Sequence, residues 1–127
     1  MEITGRVKEL IEGKNLANLG TIGPDGYPQV TPVWIDYDGT HVLVNTAEGR
    51  AKPANVRRDP RVSFSIYSTD NAYAPAFVWG KVVEITPEGA RDHIDKLAKK
   101  YLDADSYPFY QGETRLILKI EPEKVRG

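Results

Sequence analysis

No cysteine occurs among the 127 residues. Disulfides, thiolate metal sites and thiol nucleophiles are therefore excluded, and a reducing cytoplasm is the expected setting. Neither sign of charge dominates, with 17 Lys and Arg against 18 Asp and Glu. No global field marks out nucleic acid or a membrane as partner, and any basic patch must be local. No apolar run approaches the roughly 20 residues that span a bilayer. Met1-Glu2-Ile3-Thr4-Gly5 has no basic segment leading into an apolar one, so a soluble, unprocessed protein is expected. The two histidines, His41 and His93, fit no ligand or triad spacing, and no Gly-x-Ser-x-Gly elbow is present; both read as surface or helix-face residues. Asp103, Asp105 and Glu113 lie in a polar stretch without a calcium-loop pattern, so no metal site is expected.

What is present fits one domain spanning residues 1–127, since a chain of this size has little room for a second core. Val7, Leu10 and Ile11 fall three and four apart, which predicts a short amphipathic helix over Thr4–Glu12 closed by Gly13. Asn15–Ile22 and Tyr27–Asp36, joined through Pro24-Asp25-Gly26, predict a hairpin, and His41–Thr46 adds a third strand. Pro53 suits the first turn of a helix starting near Ala51. Val62, Phe64 and Ile66 alternate with polar partners over Arg61–Ser68, a half-buried strand followed by a polar loop, Thr69–Pro75. Ala76–Ile85 reads as a strand in which Gly80 marks a bulge or a close backbone approach. Thr86-Pro87 starts a helix running to about Leu102, and Thr114–Glu121 closes the order as a strand. Six mostly antiparallel strands with short helices between them predict a mainly β, α+β fold, a small barrel rather than a βαβ sheet.

Two stretches could carry chemistry. Arg50 to Arg61 holds five basic residues and one acid, a net charge of +4. Arg50 and Lys52 sit where a strand gives way to a helix N-terminus, so backbone N–H groups and side-chain donors can converge on one anion, and a phosphate suits that corner. Taken alone, such a cluster is more often a set of solvated charges on an exposed turn. The second stretch is Thr31-Pro32-Val33-Trp34, where proline removes a ladder donor and places the strand at an edge or opening. With Asn45-Thr46-Ala47 it could form a shelf for a heteroaromatic ring; an ordinary edge strand with Trp34 as filler is the plainer alternative. Trp34, Trp79 and seven tyrosines are a large aromatic supply for so small a chain, and dimerisation is an economical use of them.

The order of these segments resembles the pyridoxamine 5′-phosphate oxidase-like split-barrel superfamily. The resemblance runs from about Leu10 to Val125, and Arg-x-Lys-x-x-Asn-x-x-Arg-Asp-Pro-Arg-Val, from Arg50 to Val62, is its most specific part. Asp95-Lys-Leu-Ala-Lys-Lys-Tyr-Leu and Tyr107-Pro108 are similar to the branch of deazaflavin (coenzyme F420)-dependent oxidoreductases. The resemblance implies a six-stranded split β-barrel that forms a homodimer with two cofactor sites at the interface. The phosphate would be held by Arg50 and Lys52 beside Ala51. The ring would rest against Thr31, Pro32, Val33 and Trp34, with Gln29, and against Asn45, Thr46 and Ala47. Tyr73, in an aromatic loop, would reach the partner's ring, although Ala74-Pro75-Ala76 departs from the branch. Arg57, Arg58 and Arg61 could form a basic track for the oligoglutamate tail of F420. Glu121 to Gly127 lacks the basic motif with which true pyridoxamine phosphate oxidases hold their substrate phosphate, so vitamin B6 oxidation is not expected.

No catalytic residue is assigned, because hydride chemistry belongs to such a cofactor while the protein orients it. The leading expectation is hydride transfer between F420 and a small unsaturated or conjugated substrate. The alternatives are an FMN enzyme of the same fold and a flavin-binding carrier without turnover.

Overall fold

The computed structural model describes residues 1–127. The elements follow as α1 (Gly5–Glu12), β1 (Ala17–Ile22), β2 (Pro28–Val33), β3 (Asp36–Tyr37), β4 (Val42–Ala47), α2 (Ala51–Arg58), β5 (Arg61–Ser68), β6 (Asn71–Thr86), α3 (Ala90–Leu102) and β7 (Arg115–Arg126). All seven strands join one antiparallel sheet in the order β2-β1-β5-β6-β7-β4-β3. β2 and β3 lie at opposite edges, yet only Trp34 and Ile35 separate them in the chain. Three peptide steps reach at most about 11 Å. The sheet must therefore curl until its two edges approach each other, which makes it a split barrel. No helix is long and apolar enough to cross a membrane.

The interior follows from the alternation of the strands. Val62, Phe64 and Ile66 of β5 point inward with Leu19 of β1, Val42 and Val44 of β4, and Leu118 and Ile120 of β7, in a core of 19 buried residues. Each such side chain contributes about 1.5–3 kcal/mol relative to exposure. Gly80 sits at a register shift between β6 and β7. A Cβ there would run into the Glu121 carbonyl oxygen, so the close approach expected of this glycine is what bends the long strand.

Four boundaries differ from the sequence expectation. Tyr27–Asp36 is not one strand: the chain leaves the sheet at Trp34 and rejoins it on β4 as the two-residue β3, giving seven strands rather than six. The stretch 71–75 is not a loop but the start of β6, because Ser68 pairs with Asn71 across a two-residue turn and backbone pairing needs no apolar alternation. α3 begins at Ala90 rather than Thr86: Thr86 still pairs with Ile117, and Gly89, at φ 72°, turns the chain into the helix. β7 runs on to Arg126, five residues past Glu121, because its pairing with β6 continues as far as Phe77.

Candidate active site

α2 is fixed from beneath before it presents anything to solvent. Asn55 is fully buried and donates through Nδ2 to Thr21 Oγ1 at 2.9 Å and to Gln29 Oε1 at 2.8 Å, tying the helix to the β1–β2 hairpin. Its N-terminus has no side-chain cap, so the first backbone N–H groups are free for an anion. Arg50 and Lys52 flank that end, and neither has an acidic partner in the chain. Burial lowers the Lys52 ammonium below its ordinary pKa, and Arg50 beside it adds to the effect. Two adjacent cations with no carboxylate between them at a helix N-terminus have the chemistry to receive an anion.

These two cations line a cavity of about 270 Å³. Pro32, Val33 and Trp34 form one side of it, and Asn45 and Thr46 of β4 another. Ile94 and Leu97 of α3, with Tyr107 and Phe109 of the following loop, give an apolar wall. No acidic residue contributes to the lining. The wall is held by α3: Trp34 stacks on Tyr101 at 5.3 Å between ring centres, with Tyr107 edge-on to Trp34 at 6.1 Å. The Tyr101 hydroxyl donates to Asn15 O at 2.6 Å and accepts from Ile35 N at 3.1 Å, and Lys100 Nζ donates to Ile11 O and Ile35 O. The two-residue crossing between the sheet edges is thereby pinned, and Trp34 with it. On the far side of Pro32 and Trp34 lies a second cavity of about 450 Å³, edged by Lys14, Asn15, Asn18, Tyr67 and Thr69.

A buried polar chain supports the first cavity. Arg115, 4% exposed, donates through Nε to Asn45 Oδ1 at 3.0 Å and through Nη1 to Glu113 Oε2 at 2.9 Å. Asn45 Nδ2 donates to Ala90 O at 2.9 Å and faces His93 Nδ1 at 3.1 Å. An arginine Nε only donates and a carbonyl only accepts, so the Asn45 amide has one orientation. His93 must then accept at Nδ1 and donate from Nε2, which meets Asp36 Oδ2 at 3.0 Å. Burial alone would raise the Asp36 carboxyl, but bonds from His93 and the Tyr37 amide, with Lys96, bring it down to about 2. The backbone N–H of Gln111, donating to Glu113 Oε1 at 2.7 Å, is the main reason that Glu113 is lowered to about 2, and Arg115 adds to it.

A family model for pyridoxamine 5′-phosphate oxidase matches residues 3–127. The chain belongs to the pyridoxamine 5′-phosphate oxidase family. That family gives it the split-barrel fold and a flavin-type oxidoreductase class. Among solved structures, it is similar to an F420 reductase at 27% identity, with 98% of each chain covered and a TM-score of 0.87. A conserved hypothetical protein from Mycobacterium tuberculosis matches at 25% identity over 98% of this chain and 84% of that one, with a TM-score of 0.73. HupZ of Group A Streptococcus, at 19% identity over 97% of this chain and 91% of that one and a TM-score of 0.70, shares the fold alone.

For a member of the pyridoxamine 5′-phosphate oxidase family, the expected site residues divide sharply. Pro32, Val33, Trp34, Asn45, Thr46, Arg50 and Lys52 meet in the first cavity. Gln29, Thr31, Ala47 and Ala51 do not line it: Gln29 is engaged by Asn55, Thr31 is exposed opposite Leu19, and Ala47 is buried. Tyr73 stands 98% exposed at the β5–β6 hairpin. Arg57, Arg58 and Arg61 lie at the other end of α2, each bonded within the chain. Arg115 and Phe109 carry no local motif, and Tyr107 stands out in the sequence only with Pro108 as a mark of the resemblance, not as a site residue. His93 is 8% exposed, so its reading as a surface or helix-face residue holds only in that it lies on α3.

Proposed function

We propose that the chain is an F420-dependent oxidoreductase that passes a hydride to a small unsaturated or conjugated substrate. The observation that carries this reading is the pair Arg50 and Lys52, without an acidic partner, at a helix N-terminus opening into a cavity with an apolar, aromatic wall. The donor set fits a phosphate beside a flat ring: cations and backbone N–H groups at one end, Trp34, Tyr107 and Phe109 at the other. When bound, such a cofactor supplies the hydride. The chain binds the phosphate through Lys52 and Arg50, orients the ring against Pro32 and Trp34, and excludes water with the aromatic wall. The likeness to an F420 reductase over the whole chain favours the deazaflavin; the donor set itself accepts FMN equally. The second cavity shares Pro32 and Trp34 with the first, and in this reading the substrate lies there, across the same indole from the cofactor.

The proposed assembly is a homodimer. β2 is exposed on both faces, with Val30 62% exposed, and Phe77 and Trp79 of β6, three strands away, stack at 6.1 Å and line one surface depression with Val30. An apolar face of that kind is what a second copy covers. Titration of the purified protein with F420 and with FMN, followed by absorbance, tests the cofactor. F420 should bind more tightly, and reduced F420 should be reoxidised by an enone only when protein is present. Binding of neither ligand would overturn the reading.

A further inference from the structure

Arg115 has no part in the phosphate grip expected from the sequence, yet it lines the same cavity as Arg50 and Lys52. Three features set it apart from a merely structural arginine. It is buried, with its side chain 3% exposed. Its Nε and Nη1 are taken by Asn45 and Glu113, while Nη2 has no partner within the chain. The register of β4 and β7 places it directly across from Ala47, at the end of the strand that leads into α2. A guanidinium held at two of its nitrogens, with its remaining N–H groups left over and a cavity beside it, is arranged to donate to something in that cavity.

We propose that Arg115 is a third anion-binding group of the site, donating from Nη2 to a phosphate oxygen of the bound cofactor, and that Asn45 and Glu113 are the residues that position it. This rests on the cofactor reading above. Both amide hydrogens of Asn45 are committed to Ala90 and His93, and its carbonyl accepts from Arg115. It lines the cavity and also holds the arginine in place. Glu113 orients Arg115 but also offsets part of its charge, so the pair has opposite expected signs: removing the arginine weakens the anion, and neutralising the glutamate strengthens it.

The test compares FMN with riboflavin, which differs only by lacking the phosphate, on the wild type, Arg115→Gln, Arg115→Lys and Glu113→Gln. Binding is read from flavin fluorescence and folding from circular dichroism. Arg115→Gln should weaken FMN by about tenfold or more and riboflavin by less than about twofold. Arg115→Lys, which keeps the charge but loses the fork, should fall between. Glu113→Gln should leave FMN as tight as in the wild type or tighter, with riboflavin unchanged. Equal weakening of FMN and riboflavin in Arg115→Gln would overturn the proposal, as would unchanged FMN affinity. If Arg115→Gln does not fold, Glu113→Gln decides: weaker FMN binding there would reduce Arg115 to a structural role. Wild type that binds neither FMN nor F420 overturns the cofactor reading and this inference with it, whereas wild type that binds both, with Arg115→Gln unaffected, overturns this inference alone.

Discussion

The two ends of α2 carry the same kind of side chain and use it in opposite ways. At the N-terminus, Arg50 and Lys52 have no acidic partner and face a cavity free of acids. At the C-terminus, Arg57 forms a bidentate pair with Glu48, Arg61 clasps Asp59, and Arg58 donates to Asn55 Oδ1 at 2.6 Å. The cations at one end are left without a carboxylate, and those at the other are satisfied within the chain. Counting basic residues along the segment cannot separate the two.

The sharpest way to break this comparison is to remove the free end. Lys52→Ala with Arg50→Ala should weaken FMN and F420 by more than about a hundredfold, since each charge-assisted phosphate contact is worth roughly 1.5–3 kcal/mol. Lys52→Ala alone should cost about tenfold to a hundredfold. Because Lys52 is half-buried and has no acidic partner, folding should be little changed. Wild-type affinity should fall as salt rises, and fall less steeply in Lys52→Ala. Isothermal titration over a salt series checks both, and a salt-independent affinity would mean that the anion is not held by these cations.

Acid sharpens the comparison from the other side. The Arg61 side chain holds the Asp59 carboxyl at about 2, and Arg57 holds Glu48 below its ordinary value. Both folded pKa values are depressed, so what each pair contributes is fully present above the ordinary carboxyl range, about pH 4 to 5, and is lost as pH falls through its folded value, which for Asp59 is about 2. The free end has no carboxylate to lose. Carbon-detected NMR titration should place the Asp59 midpoint near 2 in the wild type and return it to the usual range, about 4, in Arg61→Ala. An unmoved midpoint would mean that the pairing is absent in solution.

The legible part of this molecule is what one segment decides alone. The β5 alternation of Val62, Phe64 and Ile66 gave a half-buried strand, and the strand-to-helix junction put Arg50 and Lys52 together at the start of α2. The rest needed pairings that no local pattern encodes. Glu48 finds Arg57 only because the turn and helix fold back on each other. Arg115 stands at the head of an apolar strand and becomes part of the site through its register with β4. His93 sits on an amphipathic helix and is buried because Asn45 and Asp36 meet it from the sheet. Trp34 interrupts what reads as one strand because the curled sheet must pass its chain from one edge to the other.

The smallest expected effect is also the one that discriminates best between the two ends. If Arg57, Arg58 and Arg61 formed a track for the F420 tail, its carboxylates would have to displace Glu48 and Asp59, which already sit in the favoured fork geometry. Exchanging one carboxylate for another gains little. Arg57→Ala and Arg61→Ala should therefore change the affinity for F420 by less than about twofold, and a tail-less analogue should respond by the same factor. Arg58→Ala differs in kind: it strips a partner from the buried Asn55, which anchors α2, so it should lower the melting temperature more than the other two while leaving the ratio between F420 and the tail-less analogue unchanged. A loss of F420 affinity well beyond that of the tail-less analogue, in any of the three, would show that the paired end opens to the tail, and the contrast between the two ends of the helix would not survive it.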